Sequence, residues 1–175
     1  EITMGPKLKL DTPASELRTI AKAAADSGVT IITISVSQPF ANCPLNHPDA
    51  AVRAQGVDVI KKSVDIAHAL GAGTILLVPS RVGSGAKFMY GYEETWKRTS
   101  EELPKAIPQA AAAKVVLTPE NVWNKFLLSP LEMRRFVDQF QSPWLQAHFD
   151  IGNVVQFGYP QDWIATLGKR IQRIH

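Results

Sequence analysis

Glu120, Asp150 and His175 carry side chains that bind divalent metal ions, and each stands at the end of an apolar run. They are spaced 30 and 25 residues apart. A parallel strand with its crossover helix and loops takes about 30 residues. The spacing predicts three successive parallel strands, each ending in one ligand. That end of the strands is where α/β barrels keep their chemistry. A carboxylate placed there could also take a proton from a carbon beside a carbonyl. Plainer readings exist for each residue. Glu120 could be a surface-loop glutamate, Asp150 could cap the Ile151-Gly152-Asn153 turn, and His175 could be a histidine without a role.

Other side chains could serve the same end of the strands. His148 lies two residues before Asp150, so both point to one face. It could hold a substrate hydroxyl or simply fill a barrel. Arg81 and Lys87 lie in a Gly/Ser-rich loop, 79–91, and could hold a phosphate or sugar hydroxyls. Trp123, Phe126, Phe157 and Tyr159 could wall off a site or pack. Cys43 has no partnered base and is not expected to be a nucleophile. His47 and His68 are assigned nothing.

The elements that must position these residues alternate strictly. Strands are expected at 30–36, 74–78, 115–118, 145–149 and 171–174, with the tail of another at Glu1 to Met4. Thr12 is expected to cap the first helix, with Pro13 at its first position and Gly28 ending it. Pro48 opens a long helix to Leu70. Pro104 and Pro108 should break the helix that begins near Tyr92. Ser129 and Glu132 form a capping box around Pro130, in a helix to about Phe140. Pro160 starts a short helix that Gly168 ends. No hairpin signal is visible. Six strands with five intervening helices predict an α/β fold with a parallel sheet, a single domain over 1–175. A closed barrel needs eight of each. Exposed strand edges would then leave room for a homo-oligomer. The chain starts inside a strand and stops on a candidate ligand, so it is expected to be part of a longer protein.

The 175 residues are 45% hydrophobic, enough for one real core. The 19 Lys+Arg against 16 Asp+Glu are scattered, so no nucleic-acid face is expected. No apolar run reaches membrane-spanning length. The single cysteine fits a reducing, cytoplasmic setting. No Gly-x-Gly-x-x-Gly opens a helix, which speaks against a dinucleotide-binding sheet.

At Glu120-Asn121-Val122-Trp123-Asn124-Lys125-Phe126 and Asp150-Ile151-Gly152-Asn153-Val154-Val155 the sequence resembles the sugar phosphate isomerase/epimerase family. That group has a xylose-isomerase-like (β/α)8 TIM barrel and includes ketose 3-epimerases and hydroxypyruvate isomerases. The Asn46-His47-Pro48-Asp49 helix start and the Gly168-Lys169-Arg170-Ile171 approach to His175 are similar to it too. The resemblance implies one divalent ion (Mn²⁺, Mg²⁺, Co²⁺ or Zn²⁺) held by Glu, Asp, His and a second Glu from four strands. Glu120, Asp150 and His175 match the first three by position. The second Glu has no counterpart in this sequence, so the barrel is expected to be incomplete here. The resemblance also implies a sugar or sugar phosphate substrate; by their positions in the sequence His148, Asn153, Trp123 and Arg81 are the candidates to touch it. The reaction would be isomerisation or epimerisation of a ketose through a metal-stabilised enediolate, with Glu120 as one of two catalytic carboxylates.

Three other functions use related scaffolds. A keto-inositol-type dehydratase is compatible with the same residues. A catalytically incomplete fragment fits the missing strands. An abasic-site endonuclease needs extra histidines on earlier strands, where this chain has Ser35, Ser37 and Ser80, and an Asp-x-x-His motif, where it has Asn153.

Overall fold

A computed structural model describes residues 1–175. Six parallel strands follow one another across a curved sheet, with helices packed on its outer face. β1 (Ile2–Thr3), β2 (Thr33–Ser35), β3 (Thr74–Leu77) and, later in the chain, Val116–Pro119 are paired in that order. Between β1 and β3 run α1 (Ala14–Asp26) and α2 (Ala50–Ala69). The loop after β3 folds into an antiparallel hairpin, β4 (Gly83–Ser84) with β5 (Lys87–Phe88). α3 (Tyr92–Glu102) and α4 (Ile107–Ala113) then lead into β6 (Val116–Pro119). α5 (Pro130–Asp138) connects to β7 (Ala147–Phe149). α6 (Ile151–Val154) and α7 (Pro160–Leu167) precede β8 (Ile171–Ile174). β7 and β8 pair in parallel, and the bridges Leu117↔Leu145 and Glu120↔His148 join them to β6.

The strands are short and buried, and their side chains alternate between two environments. Ile34, Ile75, Leu77, Leu117, Ala147 and Phe149 point outward into the core shared with the helices. The inner face is mixed, with Leu76 among polar side chains. Thr33 and Thr74 bond through their hydroxyls, and Thr118 donates to the Ile75 carbonyl at 2.7 Å. α2 crosses the outer face, and Gly56 sits mid-helix because a Cβ there would run into the Cys43 carbonyl and the Leu45 side chain. No helix is long and apolar enough to cross a membrane.

Several expectations meet the structure closely. β8 falls on 171–174, Gly168 ends α7 at φ +50°, and a 3-10 turn, Leu103–Ala106, interrupts the helix at Pro104. Others need correction. Thr12 does not cap α1. Its hydroxyl instead accepts from the Lys9 backbone at 2.8 Å, and Pro13 occupies the cap position without a side-chain bond. Asp49 rather than Pro48 opens α2, accepting from Ala51 N at 2.8 Å. Ser129 caps α5 as expected, but the Glu132 carboxylate reaches back to Leu128 N and to the Tyr92 hydroxyl, which donates at 2.8 Å. The β4–β5 hairpin was not expected. Its strands have two residues each, and it closes because Gly83 lets the Lys87 carbonyl approach where a Cβ would clash.

Candidate metal and active site

The inner face brings three potential ligands together at the C-terminal end of β6, β7 and β8. Glu120, His148 and His175 each offer a ligand atom, and these atoms lie within 4.8 Å of one another. Glu120 follows Pro119, the last residue of β6, and its N–H still bonds to the Leu77 carbonyl at 2.9 Å. His148 is the middle residue of β7. A register shift between Ala147 and His148 pairs His148 with Arg173 and Phe149 with Ile174. That irregularity sets Arg173 and His175 on the same face as His148 and Asp150.

His175 Nδ1 lies 2.9 Å from Glu120 Oε1 and 3.6 Å from Asp150 Oδ2. Glu120, Asp150 and His175 therefore do meet. Asp150 has divided duties, since its Oδ1 accepts from Asn153 N at 2.7 Å and caps α6. The tight cluster contains His148 where the sequence pattern pointed to Asp150. The stagger between neighbouring strands explains the difference, because the bridge places Glu120 opposite His148 rather than opposite Asp150.

The electrostatics follow from this crowding. Burial pushes the Glu120 carboxyl up, against the His175 hydrogen bond that favours its charged form, and Asp150 raises it further. His175 is raised, first by its bond to Glu120 and also by the charges of Glu120, Glu1 and Asp150. His148 is 2% exposed, and burial, with His175 and Arg173 nearby, lowers it to about 4. It is therefore a neutral imidazole at physiological pH, as a metal ligand must be. Its Nδ1 lies 3.3 Å from the Thr118 hydroxyl. The donor set of carboxylate and imidazole fits Mn²⁺, Co²⁺ or Zn²⁺, while Mg²⁺ prefers oxygens alone.

The remaining sequence candidates separate. Asn153 lies against the site through its backbone, and its side chain donates to the Asn121 carbonyl at 3.0 Å. Trp123 is half exposed, and its indole N–H donates to the Asn153 carbonyl at 3.0 Å. Arg81 lies on the rim outside the cluster, and no side-chain hydrogen bond or ion pair engages its guanidinium. Phe126 is core, packed against Tyr92, Trp96 and Phe136. Phe157 and Tyr159 are exposed. Cys43 is buried, and burial raises its thiol.

One positioning residue escaped the sequence reading. Asn121 is 3% exposed, and its side chain donates to the Asp150 carbonyl and accepts from the Asp150 N–H, both at 2.8 Å. It holds the Asp150 backbone beside Glu120. An asparagine directly after a candidate ligand was the only available signal.

The fold and the site define a class. The chain matches the xylose isomerase-like TIM barrel family over residues 1–175, and it belongs to that family. SgbU of Escherichia coli (strain K12) is 29% identical over 168 residues, which cover 95% of this chain and 57% of that protein. The L-ribulose-5-phosphate 3-epimerase UlaE of Escherichia coli O1:K1 / APEC is 27% identical over 146 residues, covering 83% and 50%. The chain thus spans about half the length of the curated relatives it matches. Among solved structures, a D-psicose 3-epimerase in the presence of D-fructose superposes with a TM-score of 0.85 at 23% identity, over 95% of this chain and 58% of that one. An L-ribulose 3-epimerase superposes with a TM-score of 0.80 at 23% identity, over 99% and 57%. These two show a shared fold.

Proposed function

We propose that this protein belongs to a metal-dependent sugar 3-epimerase that moves a proton at the carbon beside a ketose carbonyl. The observation that carries this reading is the convergence of Glu120, His148 and His175, with Asp150 beside them, at the C-terminal end of three neighbouring strands. The epimerase names of the relatives support it. Glu120, Asp150 and His175 would hold a divalent ion, and His148 stands close enough to join them or to orient the substrate. When bound, such an ion supplies Lewis-acid polarisation of the substrate carbonyl.

The protein's own part is proton handling. Glu120 Oε2 makes no hydrogen bond within the protein, while Oε1 is held by His175. A buried carboxylate whose pKa is raised is a stronger base than a free one. It takes the proton as the C–H bond breaks, and the electron pair moves into the enediolate. Return of a proton to the opposite face completes the inversion and needs a second acid facing Glu120. His148, kept neutral, offers a hydrogen bond to a substrate hydroxyl without adding charge.

The test is deuterium wash-in at that carbon in D₂O with Mn²⁺, run on a chain long enough to supply the second carboxylate, using free ketoses and ketose 5-phosphates. Exchange that disappears in Glu120→Gln is the expected result. Exchange that survives the substitution, or no exchange on any substrate, overturns the reading. Loss of water from a keto-inositol would replace it with the dehydratase.

A further inference from the structure

The hydrogen bonds of the inner face fix which nitrogen of His148 carries its proton. His148 Nδ1 lies 3.3 Å from the Thr118 hydroxyl oxygen. That hydroxyl has a single proton, and its oxygen lies 2.7 Å from the Ile75 carbonyl oxygen, which can only accept. The Thr118 proton is therefore committed to Ile75, and toward His148 the Thr118 oxygen can only accept. The donor in that bond is His148 Nδ1–H. Thr118 is fully buried and His148 is 2% exposed, so bulk water does not compete for it.

The strand pairing builds this arrangement. Thr118 and Glu120 are two residues apart along β6 and its end, so they share the inner face. β3 pairs with β6 through Ile75↔Leu117, which brings the Ile75 carbonyl within reach of Thr118, and the bridge Glu120↔His148 sets the imidazole across from them. The adjoining strands repeat the device. Thr74 donates to the Ile32 carbonyl at 2.9 Å, so in its bond with Thr33 the Thr33 hydroxyl must be the donor.

The consequence falls on the other ring nitrogen. A neutral imidazole carries one proton, so with Nδ1 protonated Nε2 keeps its lone pair. Nε2 makes no hydrogen bond within the protein. His148 belongs to the cluster with Glu120 and His175, and its ring stands edge-on to that of His175 with centroids 5.6 Å apart. A metal ion takes an imidazole at its bare nitrogen, and ligating histidines donate the other N–H to a neighbouring oxygen, which fixes the tautomer.

We propose that Thr118 is a positioning residue that holds His148 in the Nδ1–H tautomer, so that Nε2 serves beside His175 as a second imidazole donor to the divalent ion. The proposal rests on the metal site of the epimerase reading and decides between the two roles that reading leaves to His148. Two imidazoles with a carboxylate suit Co²⁺ or Zn²⁺ better than Mg²⁺.

The experiment is long-range proton–nitrogen correlation NMR of the histidine rings at about pH 8, above the ordinary histidine range, without metal and with Zn²⁺. In the metal-free protein His148 should carry its proton on Nδ1 and leave Nε2 bare. His47 is the internal control with the opposite expectation, because its Nδ1 accepts from Asp49 N at 3.1 Å. Zn²⁺ should shift His148 Nε2 and leave Nδ1 protonated. Thr118→Val removes the acceptor at nearly constant shape. It should release the tautomer and weaken calorimetric Zn²⁺ binding about tenfold or more. Thr118→Ser should restore both. A proton on His148 Nε2 in the metal-free protein overturns the proposal without any variant, and so does undiminished Zn²⁺ affinity in folded Thr118→Val. Zn²⁺ that shifts His175 but not His148 Nε2 overturns it and leaves the metal site of the epimerase reading standing. Zn²⁺ that shifts neither ring overturns both.

Discussion

Glu102 and Glu120 have side chains each 7% exposed, but Glu120 lies deeper among protein atoms, and their acidities move in opposite directions. Glu102 belongs to the helical shell. Burial alone would raise it, but the hydrogen bonds from Lys105 at 2.6 Å and Arg53 at 3.2 Å overcome this and hold it below the ordinary range. Arg53 is itself fixed on the His47 and Pro48 carbonyls. Glu120 lies at the mouth of the barrel, where its partner is a titratable imidazole and its neighbour another carboxylate. There burial prevails and the pKa rises. Depth of burial and the nature of the partner together decide whether the charge serves the fold or remains available for chemistry.

The sharpest way to break this contrast is Glu102→Ala, which strands Arg53 in the shell. Removing one partner of a buried pair costs about 3–5 kcal/mol. Urea unfolding should show a loss of that size, and a change below about 1 kcal/mol would mean that the shell pair is no more structural than a surface one.

His148 sharpens the contrast through pH. Its folded pKa of about 4 lies below the ordinary value of about 6.5, so the unfolded chain binds the proton more readily. The stability that neutral His148 contributes is present above pH ~6.5 and drains away as pH falls toward 4, by up to about 3 kcal/mol. NMR titration of the metal-free protein should give His148 a midpoint below 5; a midpoint near 6.5 contradicts the environment described.

Metal addition probes the mouth alone. An ion that binds only the folded state, at about 100 times its Kd, adds about 2.7 kcal/mol. Mn²⁺ should raise the melting temperature accordingly, EDTA should reverse the rise, and Glu120→Gln should abolish it. A rise undiminished by that substitution would exclude Glu120 as a ligand.

The smallest effect should be the stability of metal-free Glu120→Gln. An amide there avoids burying a charge, so the variant should match the parent or exceed it by up to about 1 kcal/mol. A loss approaching that of Glu102→Ala would erase the distinction between the two glutamates.

The sequence made the strand ends legible because buried parallel strands are continuous apolar runs and their spacing is set by crossover helices. Pro104, Pro160 and Gly168 were equally readable, since their backbone limits are local. What escaped was long-range. The partnership of Glu120 with His148 depends on stagger between strands. The hairpin depends on one glycine at a close approach. Asn121 was hidden because an asparagine in a loop gives no sign of which peptide it will grip. Thr12 satisfied the local rule for a cap, but a bond to Lys9 took its hydroxyl.

Asn121 offers N–H and C=O to Asp150 as a neighbouring strand would. The pairing of β6 with β7 thereby gains one more rung, built from a side chain. For anyone exchanging loops between such barrels, the safe junction therefore lies after residue 121, not after Pro119. A transplanted loop that keeps Asn121 keeps both of its bonds to the Asp150 peptide.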